Sequence, residues 1–179
     1  LLLFFLIIFL NPFISNGKEN KKNILIISSY HKGFSFTDRI IIGIETYFRK
    51  ETTYSANVYI EYLDFLRVLQ NKSQKKNLIQ FLKNRYENIK IDAIVTVDPE
   101  AFIFINEYEK YFLKPSKKFY CGITPEILNL IKNKNEYLGL FFDYDFKLNF
   151  ELARTLLPSR NNYYILLDSS LLSNSIYNQ

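Results

Sequence analysis

Short, unbroken apolar runs alternate along this chain with longer stretches in which apolar residues recur every three or four positions. The first run, Ile24 to Ile27 within Asn23–Ser28, has the length of a strand buried on both faces. It opens directly into the polar and aromatic loop Ser29-Tyr30-His31-Lys32-Gly33-Phe34. Ser35 with Asp38 three residues later resembles a capping box, and Ile40, Ile44, Tyr47 and Phe48 continue at helical spacing to about Lys50. Gly43 inside that helix costs stability unless the backbone packs closely there. A second strand, Asn57 to Tyr62, alternates Val58 and Ile60 against Tyr59 and Glu61, with Asp64 and Arg67 in the loop beyond.

Ser73 to Glu87 reads as an amphipathic helix, with Leu78, Phe81, Leu82 and Tyr86 opposite lysines. Asp92 to Val97 is a third buried strand. Asp98-Pro99 then supplies an acidic N-cap and a proline at the first helical position, predicting a helix to about Phe112. Lys117 to Cys121 is a fourth strand, followed by Gly122-Ile123-Thr124-Pro125 and a short helix to about Lys132. Tyr137 to Phe142 is a fifth, ending at Asp143. A helix from Asp145 stops at Pro158, Asn162 to Leu167 is a sixth strand ending at Asp168, and Leu171 begins another helical pattern. Regular alternation of strand and helix predicts an α/β fold: a Rossmann-like open parallel sheet with helices on both faces. Such sheets keep their ligands beyond the C-terminal ends of the strands.

The N-terminus changes the expected compartment. Leu1 to Leu10 is wholly apolar and continues through Asn11, Pro12, Phe13 and Ile14. That length suits a signal-peptide core and falls short of the roughly 20 residues of a spanning helix. Ser15-Asn16-Gly17 offers small residues for cleavage after Gly17. Residues 1–17 are therefore expected to be a signal peptide or membrane anchor, incomplete at its start because the first residue is Leu, and 18–22 a spacer. The rest of the chain is expected to be periplasmic or otherwise extracytoplasmic. No cysteine comes after the apolar run at the position a lipid would need, so no lipoprotein anchor is indicated.

Composition narrows the chemistry. The net charge is +5, but the lysines are spread between Asn, Glu and Tyr, which reads as a solvated basic surface and not a nucleic-acid face. One cysteine excludes an internal disulfide and a multi-cysteine metal site, and one histidine excludes a multi-histidine site. No Gly-x-Gly-x-x-Gly, Gly-Lys-Ser/Thr or Gly-x-Ser-x-Gly stretch is present. A phosphorelay receiver would need carboxylates where Ser28 and Ser29 end the first strand. No cofactor is expected.

His31, at a strand's C-terminal end, is read either as a ligand contact or as a hydrogen-bonding surface residue. Cys121 reads as a small buried apolar residue. Asp64, Asp98, Asp143 and Asp168 each end a different strand. Capping is the common role of Asp there, and it is the first reading for Asp98. Four at one edge, with Ser29, Tyr30, Phe36 and Thr124 on the same side, also suit a cleft for a small solute bearing a cationic or hydroxyl group.

Ile24 to Phe34, then Phe36-Thr37-Asp38 and Gly43-Ile44-Glu45, resembles the opening of the ABC-transporter substrate-binding protein family, whose members also form extracytoplasmic sensor regions of histidine kinases and diguanylate cyclases. Glu61-Tyr62-Leu63-Asp64 with Arg67, the segment Asp98 to Ala101, Tyr120-Cys121-Gly122-Ile123, and Leu152-Ala153 with Leu156 and Pro158 extend the likeness across about Asn23 to Ser170. Phe36 stands where the family often has tryptophan, and Thr124 where asparagine is common. The resemblance implies a type I periplasmic-binding-protein architecture of two Rossmann-like lobes closing on a ligand. The first lobe would span 23–142, and 143–179 would begin a truncated second lobe. It implies a non-enzymatic solute binder, with an ABC permease or a fused or partner sensor kinase as partner. Ligand contacts would come from Ser29, Tyr30, His31, Phe36, Asp98, Thr124, Asp143 and Asp168. The contrasting expectation is a cytoplasmic flavodoxin-like or glycosyltransferase-like enzyme with Asp98 or His31 catalytic.

Overall fold

The computed structural model describes residues 21–50, 56–68, 71–114, 117–142, 145–168 and 170–177. Its strands are β1 (Lys22–Ser28), β2 (Ala56–Tyr62), β3 (Ala93–Val97), β4 (Lys117–Ile123) and β5 (Tyr137–Phe141). The helices are α1 (Ser35–Lys50), α2 (Lys72–Tyr86), α3 (Pro99–Tyr108), α4 (Pro125–Leu128), α5 (Phe146–Leu156) and α6 (Leu171–Tyr177). All strand pairs are parallel, in the order β2-β1-β3-β4-β5. The winding therefore reverses between β1 and β3, and that junction is where an open sheet leaves a crevice. Register aligns Ser28 with both Tyr62 and Val97, and Val97 with Cys121. Ser29, Leu63 and Asp98 consequently leave the sheet at one level, beside Gly122 of β4.

β1 is apolar without alternation because it lies between β2 and β3 and is covered on both faces. Ile26 faces Val97 and Ile41 of α1. Leu25 and Ile27 face the other way, into a core with Ile94, Leu82 of α2, and Phe104 and Ile105 of α3. Burying each such side chain stabilises the fold by about 1.5–3 kcal/mol. A third cluster joins Phe102, Tyr120, Ile123, Ile127 and Tyr137 between α3, α4 and the far strands. Gly139 of β5 is required there, since a Cβ would lie 2.1 Å from the Tyr120 carbonyl oxygen and 2.7 Å from its ring. On the opposite face of β5, Leu138 and Leu140 are 68% and 76% exposed.

Several local expectations are revised. α1 starts at Ser35 itself, so the capping box expected there does not form. The Asp38 carboxylate accepts the Gly33 N–H at 2.8 Å, and the Asp38 N–H donates to the Phe34 carbonyl. α2 starts one residue before the expected Ser73, and a capping box that the sequence reading did not single out forms there, with Asn71 and Gln74 exchanging side-chain and backbone bonds. α3 ends at Tyr108 and passes into a one-turn 3-10 helix, Glu109–Tyr111. The expected sixth strand is not one: residues 162–168 pair with no described strand, and Tyr164 and Leu166 are 89% and 96% exposed. An apolar run becomes a strand only where a sheet edge satisfies its backbone, and this run reaches none among the described residues. α6 instead returns to α3 and α4, where Leu172 joins the third cluster.

Candidate functional site

The junction between β1 and β3 is knitted by Ser29. Its N–H and its Oγ both donate to the Val97 carbonyl at 3.0 Å, and its Oγ accepts the Ala101 N–H at 2.8 Å. Ala101 is the third residue of α3, so Ser29, reaching across from β1, satisfies an N–H that a cap residue ordinarily takes. Asp98 stands at the cap position yet makes no side-chain cap bond. The Ser28 hydroxyl donates to the Tyr30 carbonyl at 3.1 Å.

Asp98 does something else with its carboxylate. Its backbone sits at φ +70°, a region non-glycine residues avoid, and its N–H donates to the Cys121 carbonyl at 3.0 Å. That turn drives the side chain inward, where Oδ2 accepts a short hydrogen bond from the Thr37 hydroxyl of α1. Gly122 makes room: a Cβ there would lie 2.7 Å from Asp98 Oδ1, and its own φ is +75°. Burial raises the Asp98 pKa to about 7, the Thr37 bond opposing and the charge of Glu100 adding to the rise.

Glu100, in the first turn of α3, is equally hidden. Burial raises its pKa against hydrogen bonds from its own backbone, the Leu171 backbone and the Tyr30 hydroxyl. Its Oε2 has no partner. Tyr30 is raised in turn by burial and by the charges of Glu100 and Asp98. Cys121 is pushed up to about 12, mainly by burial and then by Asp98. Two carboxyl groups, a phenol and two hydroxyls thus cluster under the crevice, with Glu100 linking them to the start of α6.

Above this layer lies an open shelf. The His31 ring is one-third exposed, packs edge-on against Phe34 at 6.2 Å, and holds Nδ1 3.9 Å from Asp64 Oδ1. Phe34 in turn lies 4.5 Å from the Tyr30 ring. Asp64, at φ +49°, takes Arg67 Nε on both carboxylate oxygens at 2.7 and 3.0 Å. That bond, with the Arg67 charge, lowers its pKa. Phe36 is exposed on the first turn of α1 and meets Phe142 edge-on at 4.9 Å. Asp168 accepts the Ser170 N–H at 2.9 Å, its pKa is lowered by hydrogen bonds from Ser170 and Ser173, and its charge reaches Tyr30.

The residues expected to meet a solute therefore separate into two layers. Ser29, Tyr30, Asp98 and Thr124 are buried, while His31, Phe36 and Asp168 face solvent or the shelf. Asp143 lies outside the described residues. Thr37, Glu100 and Gly122 belong to the site, and the sequence pattern does not single them out. A Glu at the second position of a helix reads as a dipole partner, and only the fold reveals that it is covered. The grooves of 490 Å³ and 590 Å³ lie away from this edge, around α2 and the end of α3.

Among the described residues, no group of three or more His, Cys, Asp or Glu side chains is placed to hold a metal ion, and no helix is long and apolar enough to cross a membrane. The chain has no significant match to any protein-family profile, to any curated protein sequence or to any solved structure.

Proposed function

We propose that this chain is an extracytoplasmic small-solute binding module, a transporter substrate-binding protein or the sensing region of a membrane kinase or cyclase. Its binding wall is the shelf at the β1–β3 junction. The observation that carries this reading is the pairing of an open rim of His31, Phe34 and Phe36 with a floor in which the Ser29, Thr37 and Asp98 side chains are already bonded to the protein. Ser28 and Ser29 both donate to backbone carbonyls, so neither hydroxyl is aimed outward as a nucleophile. A rigid floor under an aromatic rim suits recognition: the rings stack on a solute while the polar rim orients it.

The shelf is open and not an enclosed cavity. In this reading it is one wall, and a second lobe beginning near Asp143 supplies the other. A solute touching both walls favours the closed arrangement by its differential affinity.

The test is thermal unfolding of the full-length protein against a panel of amino acids, sugars and polyamines. A true ligand at a hundred times its Kd adds about 2.7 kcal/mol to stability. That gain should disappear in His31→Ala and Phe36→Ala. A protein whose melting ignores the whole panel counts against solute binding. Recovery of a tagged protein from the cytoplasm alone would favour a cytoplasmic α/β enzyme.

A further inference from the structure

One face of the molecule carries a charge pattern unrelated to the shelf. Lys72, Lys75, Lys76 and Lys83 fall three, four and eleven residues along α2, which places them on one stripe of the helix with Ile79 between them. The stripe lines a groove of 590 Å³ whose other wall is Tyr108 and Tyr111 at the end of α3. An adjoining groove of 490 Å³ shares Lys83 and Tyr111 and adds Lys90, Lys110 and Lys114. Among the described residues, Glu87 is the one carboxylate lining either groove. Lys90 also lies 3.8 Å from Asp92, Lys75 stands over the Phe65 ring, and Lys110 over Tyr111.

The second groove lies at the N-terminal edge of the sheet, where β1 begins. Asn23 donates through Nδ2 to the Lys90 carbonyl at 2.9 Å, and through its N–H to Asp92 Oδ2 at 3.0 Å. The sequence entering the fold at this point begins with the apolar Leu1–Leu10 and carries Lys18, Lys21 and Lys22.

We propose that this α2–α3 face lies on an anionic lipid bilayer, with the lysines meeting headgroup phosphates and Tyr111, Ile79 and Leu113 at the headgroup boundary. Lysine, a point charge on a flexible apolar stem, fits a fluid array of headgroups. Among the described residues no arginine lines either groove, whereas planar bidentate readout of nucleic acid favours arginine. Near an anionic surface each lysine is worth about 1 kcal/mol, roughly fivefold in partitioning. The face runs from Lys90, at the N-terminal ends of the strands, along α2 to Lys75 beside Phe65, and uses none of His31, Phe34 and Phe36, so it is independent of the ligand reading.

The experiment is co-sedimentation of the full chain with vesicles of phosphatidylcholine alone and of phosphatidylcholine mixed with phosphatidylglycerol. The apolar N-terminal segment contributes to both, so the readout is the ratio. Wild-type protein should prefer the anionic vesicles by at least about tenfold, and the preference should fall as salt is raised. Replacing Lys72, Lys75, Lys76 and Lys83 together by Gln should lower the ratio by at least about tenfold. The same four changed to Arg should keep it, as should Lys132→Gln with Lys147→Gln on other faces. Far-ultraviolet dichroism of each variant verifies the fold, and Lys76→Gln alone should lower the ratio a few-fold. Equal binding of wild type to both vesicles, an unchanged ratio in the folded Gln variant, or displacement from anionic vesicles by a DNA or RNA duplex each overturns the proposal.

Discussion

At the scale of single residues, the edge of the sheet depends on a carboxyl group held where water does not reach. The Asp98 pKa rises from 3.8 to about 7 in the folded chain. Between those values the unfolded chain has lost the proton while the folded chain keeps it, so stability falls as pH rises through that window. The contribution is fully present below about pH 4 and is lost by about pH 7, of order 2–4 kcal/mol. Asp98→Asn removes the ionisation and still accepts from Thr37. Its melting temperature should gain on wild type steadily from pH 4 to pH 7, and a gap independent of pH would contradict the assignment. Glu100, shifted in the same direction by burial, leaves some residual slope. Gly122→Ala drives a methyl against Asp98 Oδ1 at a φ of +75°, and should cost about 2 kcal/mol or more in denaturant unfolding. The two layers of the site also separate experimentally. Ser29→Ala should lower stability by about 1–3 kcal/mol, because the Ala101 N–H loses its acceptor, whereas His31→Ala and Phe36→Ala should leave ligand-free melting nearly unchanged.

At the scale of elements, legibility in the sequence depends on how local each cause is. β1 to β5 and the main helices can be read because burial between neighbours imposes apolar runs and helical spacing. The boundaries differ where a cap is chosen from competing residues: Asn71 takes α2, and Phe34 precedes α1. Asn71→Ala removes the side-chain acceptor of the Gln74 N–H while its own N–H still reaches the Gln74 side chain, and should cost about 1 kcal/mol, measured by denaturant unfolding. Asp98 reads as a cap because its position is that of a cap. Its actual partner, Thr37, lies 61 positions away, and no local pattern encodes that pairing. The Ser29 bond to Ala101 is hidden for the same reason: capping a helix from another strand has no sequence signature. The run 162–168 reads as a strand from its own apolar pattern, although pairing is a property of two segments.

At the scale of the whole molecule, the shelf lies at the C-terminal ends of the strands, whereas the groove of Lys83, Lys90 and Lys114 lies at their N-terminal ends. The far flank is differently made. Among the described residues, the face bearing Leu138 and Leu140, the outer edge of β5 and the exposed run through Tyr164 and Leu166 lie bare in succession along the chain. Such surfaces template self-association, and an isolated chain of this length should cloud on warming before it unfolds cooperatively. Leu140→Asn should delay that turbidity, followed by light scattering, while leaving the dichroism melt within about 0.5 kcal/mol of wild type. The bare strand thus makes handling of the isolated chain a problem of colloidal stability, with a holdase or a low protein concentration as the practical remedy.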